Sequence, residues 1–360
     1  MSTPKPRSLL TFALVTACAS TPARPPAPAS TPAAPAAAAS ELVAIDMFGT
    51  RQISREQLLA AREAELRAYF EAMIRDDPAF DIAALVAGLD KLGDFATVAP
   101  ALIGYYEPGG MKYYLTVDFV DRADAARRMP FLPAPTGAHA DPAGLIADWI
   151  TYETRIFALM GAGEMSPQRV ACPAFHCIGD GTHPQVKALA DRFAAQVPAH
   201  VDALAAILRD DRDARRRAAA VYLLAYAADG PALVQQAVGA FRDRDSLVRN
   251  NAMRVVVDIA AFHPGLEVPL EPVLAALDYP TTADRNKASA ILDGLLARPG
   301  AAARHPEVIA RAGATLLAML RLEQPNNHDF AYSILKALSD QSFGERDYAA
   351  WDAWLASARR

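Results

Sequence analysis

The sequence has 360 residues and a formal net charge of −5, with 52% hydrophobic and 21% charged residues. A chain of this length can form two domains, each with a core of its own. The basic residues form no stripe, so we expect neither nucleic acid nor an anionic lipid surface as a partner.

The first 17 residues have the pattern of a secretory signal peptide. Lys5 and Arg7 precede an uncharged apolar run, residues 9–17. This run is much shorter than the roughly 20 apolar residues that a membrane-spanning helix needs. We therefore predict export rather than a transmembrane anchor.

The end of this run, Val15-Thr16-Ala17-Cys18, resembles the bacterial lipobox. The resemblance implies that residues 1–17 are removed and that Cys18 becomes the acylated first residue. Ala19 in the next position resembles the pattern of retention at the outer membrane, where the protein would face the periplasm. The alternative is a plain signal peptide with an incidental cysteine.

Residues 18–40 predict a tether. After Cys18 this segment contains only alanine, proline, serine, threonine and Arg24. It lacks the large apolar side chains that a core requires, and its prolines favour an extended chain. We expect the tether to hold the folded part away from the membrane.

A small α+β module is predicted for residues 41–121. Residues 42–49 alternate in hydrophobicity like a strand, and Ser54 and Gln57 have the spacing of a capping box that begins a helix. A second helix is expected at residues 82–92.

Two further strands complete this module. Residues 101–106 and 113–120 flank a turn that contains Gly109 and Gly110, which is a hairpin signal. The predicted order is therefore strand, helix, helix, strand, strand.

This order resembles that of a POTRA domain. The segments that carry the resemblance are residues 48–54 (FGTRQIS), 92–98 (LGDFATV) and 116–121 (TVDFVD). The resemblance implies a module that binds an extended peptide as an added strand at a sheet edge. An unrelated small α/β or helical module is the alternative.

Residues 122–183 predict an irregular connector that contains Cys172 and Cys177. In an oxidising compartment, with Cys18 lipidated, a disulfide between these two cysteines is the simplest interpretation. One alternative is a zinc site, whose four ligands would be Cys172, His176, Cys177 and His183. The other alternative is a thiol redox pair, although the spacing is not that of C-x-x-C.

Residues 184–360 predict a helical repeat domain. An alanine followed four residues later by an aliphatic recurs at Ala220–Leu224, Ala252–Val256, Ala288–Leu292 and Ala331–Leu335. A small residue lets a partner helix approach, and the aliphatic fills the same face one turn later. Intervals of 32, 36 and 43 residues between the alanines indicate stacked helical hairpins.

Charged residues repeat with the same frame. Arg217, Arg249 and Arg285 each precede their alanine by three residues, and Asp213 and Asp245 precede the first two arginines by four. The unit resembles a HEAT repeat over residues 201–355. The resemblance implies an α-solenoid of four helix pairs, with a ladder between the aspartate of one unit and the arginine of the next, and a closing helix near residues 347–360. The alternative is an irregular helical bundle.

Few residues suggest catalysis or ligand binding. We find no hydrolase, P-loop or dinucleotide-binding motif in the sequence. Asp148, Tyr152 and Glu153 would lie near a pocket or simply begin an amphipathic helix. The polar group Asn250, Asn251 and Arg254 is a candidate binding site on the repeats, with inter-repeat hydrogen bonding as its alternative.

Together these patterns predict a mainly α protein that consists of an α+β module, a connector and an α-solenoid. We expect a membrane-anchored periplasmic scaffold for a protein or peptide, without catalysis, cofactor or metal. The alternative is an envelope enzyme, either a hydrolase or a thiol- or metal-dependent enzyme, with its site in the connector near Cys172–His183. A deep pocket with converging titratable groups there would favour the enzyme, and an open face would favour the scaffold.

Overall fold

The computed structural model describes residues 39–107, 110–166, 172–227 and 229–359. The predicted signal peptide, Cys18 and nearly all of the tether lie outside these residues. The described chain is mainly helical, as predicted, with fourteen α-helices and one three-stranded sheet. None of its helices has the length and apolar character needed to cross a bilayer.

The N-terminal elements follow the predicted strand and helix order. They are β1 (Ala39–Phe48), α1 (Arg55–Ile74), α2 (Ile82–Asp90), β2 (Phe95–Glu107) and β3 (Gly110–Asp121). The capping box is present, because the Ser54 side chain accepts from the Gln57 N–H and the Gln57 side chain accepts from the Ser54 N–H. The strand order is β1-β3-β2, with β1 parallel and β2 antiparallel to β3.

The two faces of the sheet pack against different layers, because successive strand residues point to opposite sides. On one face Ile45, Leu115 and Val117 form a core with residues of α1 and α2. On the other face Phe48 belongs to the core of the helical domain. The sheet therefore lies between its own two helices and the repeats.

The remaining helices fill the rest of the chain. They are α3 (Ala125–Arg128), α4 (Leu145–Gly161), α5 (Lys187–Gln196), α6 (Val201–Asp210), α7 (Ala214–Leu224), α8 (Gly230–Gly239), α9 (Ser246–Phe262), α10 (Leu270–Ala276), α11 (Thr282–Leu296), α12 (His305–Leu320), α13 (Pro325–Ser339) and α14 (Tyr348–Ala358). The four helices that carry the alanine frame, α7, α9, α11 and α13, form a row in which each contacts the next. Each also packs on the helix before it, and α14 packs on α12.

The connector is less irregular than the sequence predicted, because it contains the 17-residue helix α4. Its prolines all lie before or after this helix, and the only glycine of α4 is its last residue. The segment before α4 is extended along the repeats, where Leu132 N–H donates to Arg242 O at 2.8 Å and Gly137 N–H donates to Asp210 O at 2.9 Å.

Buried ion pairs join successive framed helices. The guanidinium of Arg217 donates two hydrogen bonds of 2.7 Å to the carboxylate of Asp243, in the loop before α9. Arg249 donates in the same way to Asp284, in the first turn of α11, at 2.9 and 2.8 Å. The arginines of the predicted ladder thus contact the next unit.

The prediction that Asp213 and Asp245 bind arginines of the ladder is wrong. Asp213 accepts from the N–H of Arg215 at 2.8 Å, and Asp245 accepts from the N–H of Leu247 at 2.9 Å, so both are N-caps of their own helices. A capping side chain turns back to its own helix end. The carboxylate that binds Arg217 is instead Asp243, so the arginine of one unit binds a carboxylate before the next, which is the reverse of the predicted direction.

The third arginine binds the sheet instead of a repeat aspartate. Arg285 donates to Asp118 of β3 at 2.6 Å, and the N–H and hydroxyl of Thr282 donate to the same carboxylate at 2.7 and 2.9 Å. Asp46 of β1 accepts two backbone N–H groups just before α13, at 2.9 and 3.0 Å. The α+β module is therefore docked on the N-terminal ends of α11 and α13.

Candidate functional site

A cluster of polar side chains lies where the cysteine loop meets α4, α7 and α9. Cys172 and Cys177 form a disulfide bond, as predicted. Because the bond occupies both sulfurs, neither is available as the thiolate ligand of zinc or as a free redox thiol. The pairing of the two sulfurs thus favours the predicted disulfide over the zinc and thiol alternatives.

The disulfide loop places His176 against the repeats. Its neighbour Phe175 donates its N–H to Ala225 O at 2.9 Å, at the C-terminal end of α7. The His176 ring stacks on Tyr222 with centroids 4.9 Å apart, and its Nδ1 lies 2.9 Å from Asp258 Oδ2 on α9. His183, by contrast, lies in the turn before α5, where its N–H donates to Asp180 O.

Helix α9 contributes one polar stripe. Asn250, Arg254 and Asp258 are spaced by four residues and therefore share a face of the helix. Asn251 belongs to another face, since it is buried and its Nδ2 donates to Ala218 O on α7 at 3.3 Å. Of the predicted binding group, Asn251 thus makes the inter-repeat hydrogen bond, while Asn250 and Arg254 belong to the cluster.

Helix α4 contributes Glu153. Burial raises the pKa of its carboxyl above the usual value, and the charges of Arg215 and Arg254 oppose part of that rise. Its sequence neighbours have other roles: Asp148 forms an ion pair with Arg192 at 2.5 Å, and the Tyr152 hydroxyl donates to a backbone carbonyl at 3.3 Å. Only one of the three candidates on α4 therefore faces the cluster.

Three buried polar atoms of the cluster have no hydrogen-bond partner within the described part of the chain. They are Asn250 Oδ1, Arg254 Nε and His176 Nε2. A buried donor or acceptor left without a partner costs about 1–3 kcal/mol, and such groups are rare in folded proteins. Ten other such atoms are spread over the described residues, so these three mark a candidate site only together with the charged groups that converge beside them.

Two cavities of the described structure lie away from this cluster. One, of about 290 Å³, is lined by residues 132–136 of the connector, by the C-terminal end of α6 and by the loop before α9. The other, of about 210 Å³, lies between α6 and α8. Titratable groups thus converge near the connector, as the enzyme alternative requires, but neither cavity is formed by them.

The second candidate site is the outer edge of β2, which within the described residues pairs only with β3. Pro100 has no N–H, so we infer that its nitrogen faces away from β3. By the period of two, Leu102 and Gly104 then direct their backbone groups to the same outer side. The other edge, β1, has a bulge at Val43, which interrupts a regular ladder.

Sequence reasoning missed several residues of these sites. Asp258 lies four residues after Arg254, so helical spacing could have identified it. Tyr222 and Asp118 gave no comparable signal, because their roles depend on contacts over 46 and 167 residues in sequence. No protein-family model matches this chain, and a search of curated proteins finds no match.

Proposed function

We propose that this protein is a protein-binding scaffold, anchored to the outer membrane through Cys18 and facing the periplasm. Its POTRA-like module, residues 41–121, would bind an extended peptide, and its HEAT-like solenoid would present that module and offer a second surface. The observation that carries the proposal is the unpaired outer edge of β2.

Both faces of the sheet are covered by helices, so a partner that binds the sheet would have to bind at one of its edges. One face packs on α1 and α2, and the other is docked on the repeats. A peptide that adds a strand gains main-chain hydrogen bonds largely independent of its sequence. Because Pro100 interrupts the row of donors, the peptide would pair along residues 101–107.

The solenoid half of the proposal is supported by the row of framed helices. Ala220, Ala252, Ala288 and Ala331 are fully buried, as close helix packing requires. Buried arginine–carboxylate pairs link α7 to the loop before α9, and α9 to α11. This arrangement supports stacked units whose nearest neighbours stabilise each other.

The β2 edge can be tested by photocrosslinking in intact envelopes. A benzophenone amino acid at Glu107, an exposed residue at the end of β2, should capture a partner, whereas the same probe at the exposed Ala64 of α1 should not. In the Glu107 probe chain, Leu102→Pro should abolish the crosslink, because it removes an outward N–H without breaking the β2–β3 ladder.

Leu102→Val is the matched control, since it changes the side chain but keeps the N–H. A crosslink that survives Leu102→Pro, in a protein whose circular dichroism is unchanged, would exclude strand addition at this edge. A hydrolase that uses the polar cluster would then be the remaining candidate, because the thiol and zinc forms of the enzyme alternative conflict with the disulfide.

A further inference from the structure

We propose that the polar cluster of Glu153, His176, Tyr222, Asn250 and Arg254 is a binding site for a peptide carboxylate, with Arg254 as its main contact. We name it the carboxylate site. The inference rests on the proposed function only in taking the ligand to be a peptide, and it uses residues remote from β2 in the fold.

Arg254 is the first reason. Its side chain forms no ion pair and no hydrogen bond within the described residues, and its Nε is buried. The residue as a whole is partly exposed, but a buried N–H donor without an acceptor is costly. A carboxylate fits the vacant donors best, since the planar guanidinium binds its two oxygens by parallel hydrogen bonds.

Within the part of the chain that the structure describes, the carboxylates already in the cluster do not take up the hydrogen-bond donors of Arg254. Arg215 and Arg254 both act on Glu153, yet no ion pair within the described residues joins Glu153 to either of them. The other carboxylate, Asp258, is already bound to His176. Arg215 and Arg254 therefore balance these two carboxylates in charge, and the buried Nε of Arg254 still has no acceptor within the described residues.

Two acceptors distinguish a peptide from a simple anion. The Oδ1 of Asn250 is buried without a donor. The His176 Nδ1 lies 2.9 Å from the Asp258 carboxylate, and in the tautomer that donates from Nδ1 the buried Nε2 is an acceptor. A peptide brings amide N–H donors beside its carboxylate, so it can satisfy Arg254 and both acceptors together.

Three peptide probes test the inference on the full mature protein by calorimetry. They are N-acetyl-trialanine with a free C-terminal carboxylate, the same peptide as its C-terminal amide, and an amide peptide with glutamate as its middle residue. We expect one or both carboxylate probes to bind saturably and the plain amide to bind at least tenfold more weakly. The stronger carboxylate probe shows whether a chain end or an acidic side chain is recognised.

Arg254→Gln should weaken the carboxylate probe at least tenfold. Arg311→Gln, which removes an exposed arginine on α12 outside the cluster, should change binding less than twofold. The inference is overturned if neither carboxylate probe binds saturably. It is also overturned if the plain amide binds as tightly as the carboxylate probes, or if Arg254→Gln binds them as tightly as the wild type. Binding of inorganic phosphate as tightly as the peptides would overturn it as well.

Stability gives an independent readout. Arg254→Met removes the unpaired buried donor, so the free protein should melt about 2–4 °C higher than the wild type. A lower melting temperature would show that the arginine is structural and would contradict the inference. Leu102→Pro should leave the binding of the peptide probes unchanged, and Arg254→Gln should leave the Glu107 crosslink unchanged. A failure of this inference can therefore be distinguished from a failure of the proposed function.

Discussion

Asp46 is a buried carboxylate that connects the sheet to the helical part of the chain, and its burial opposes its ionisation. Its side chain is buried under α13 and accepts two backbone N–H groups. Its pKa is raised to about 6, mainly because the side chain is buried. The charge of Glu323 also raises the pKa, whereas the two hydrogen bonds and the charge of Arg55 lower it by a smaller amount. At neutral pH the docked module therefore contains a carboxylate whose ionisation opposes folding.

The pH dependence of stability should reveal this residue. Because the pKa of Asp46 is higher in the folded chain than its ordinary 3.8, the folded state binds the proton more tightly between these values. Its contribution to the unfolding free energy is present at low pH and is lost as pH rises through 6. Relative to Asp46→Asn, the wild type should gain about 2 kcal/mol between pH 7.5 and 4.5 in urea unfolding. Parallel pH profiles of the two proteins would contradict this.

Residue roles could be predicted from sequence only where both partners are local. The Ser54–Gln57 capping box needs three residues of spacing and was found. The burial of Arg217 and Arg249 follows from the repeat frame, but their partners depend on loop conformation, and a shift of two residues exchanged Asp245 for Asp243. Arg254 was identified by its polarity, whereas the lack of any partner for its Nε could be seen only in three dimensions.

At the scale of elements, the alanine frame makes a quantitative prediction about α9. Ala252 is fully buried in the row of framed helices, whereas Ala261 is exposed near the end of the same helix. Ala252→Leu should cost about 1–3 kcal/mol of unfolding free energy, because extra methylenes overpack a close contact. Ala261→Leu, the same change on the same helix, should stay within about 0.5 kcal/mol. Equal effects in denaturant titrations would mean that the frame does not mark helix contacts.

Elements with regular periodicity were predicted well, and the exception is informative. The strands of the module and the framed helices follow from alternation and from the four-residue spacing. Helix α4 lies within a stretch predicted as irregular, where the sequence suggested only the start of an amphipathic helix, because prolines between residues 130 and 142 dominate the composition before it. The proline-rich segment before α4, and not the sequence of α4 itself, led to the prediction of an irregular connector. Glu153 was named from the sequence, but its placement beside Arg215 and Arg254 on other helices could not be predicted.

The whole molecule is more integrated than two modules joined by a connector. The sequence treats the strand-bearing module and the repeats as separate units, and nothing local in it indicates that β3 meets α11. In the structure Asp118 and Arg285 are both fully buried and bind each other across that contact. The guanidinium of Arg285 also lies 3.9 Å from the ring centre of Phe48, on β1. The sheet thus completes the helical core where a further repeat aspartate is missing.

This contact predicts that the module and the repeats lose stability together. Asp118→Leu or Arg285→Leu alone leaves one buried charge without its partner and should cost about 3–5 kcal/mol, whereas the double variant should cost several kcal/mol less than the sum. Hydrogen exchange should show β3 and α11 losing protection together in each single variant, because each covers the other. Additive costs, or a sheet that keeps its protection while α11 exchanges, would instead mean that the two parts fold independently and that their buried ion pair adds little to the docking.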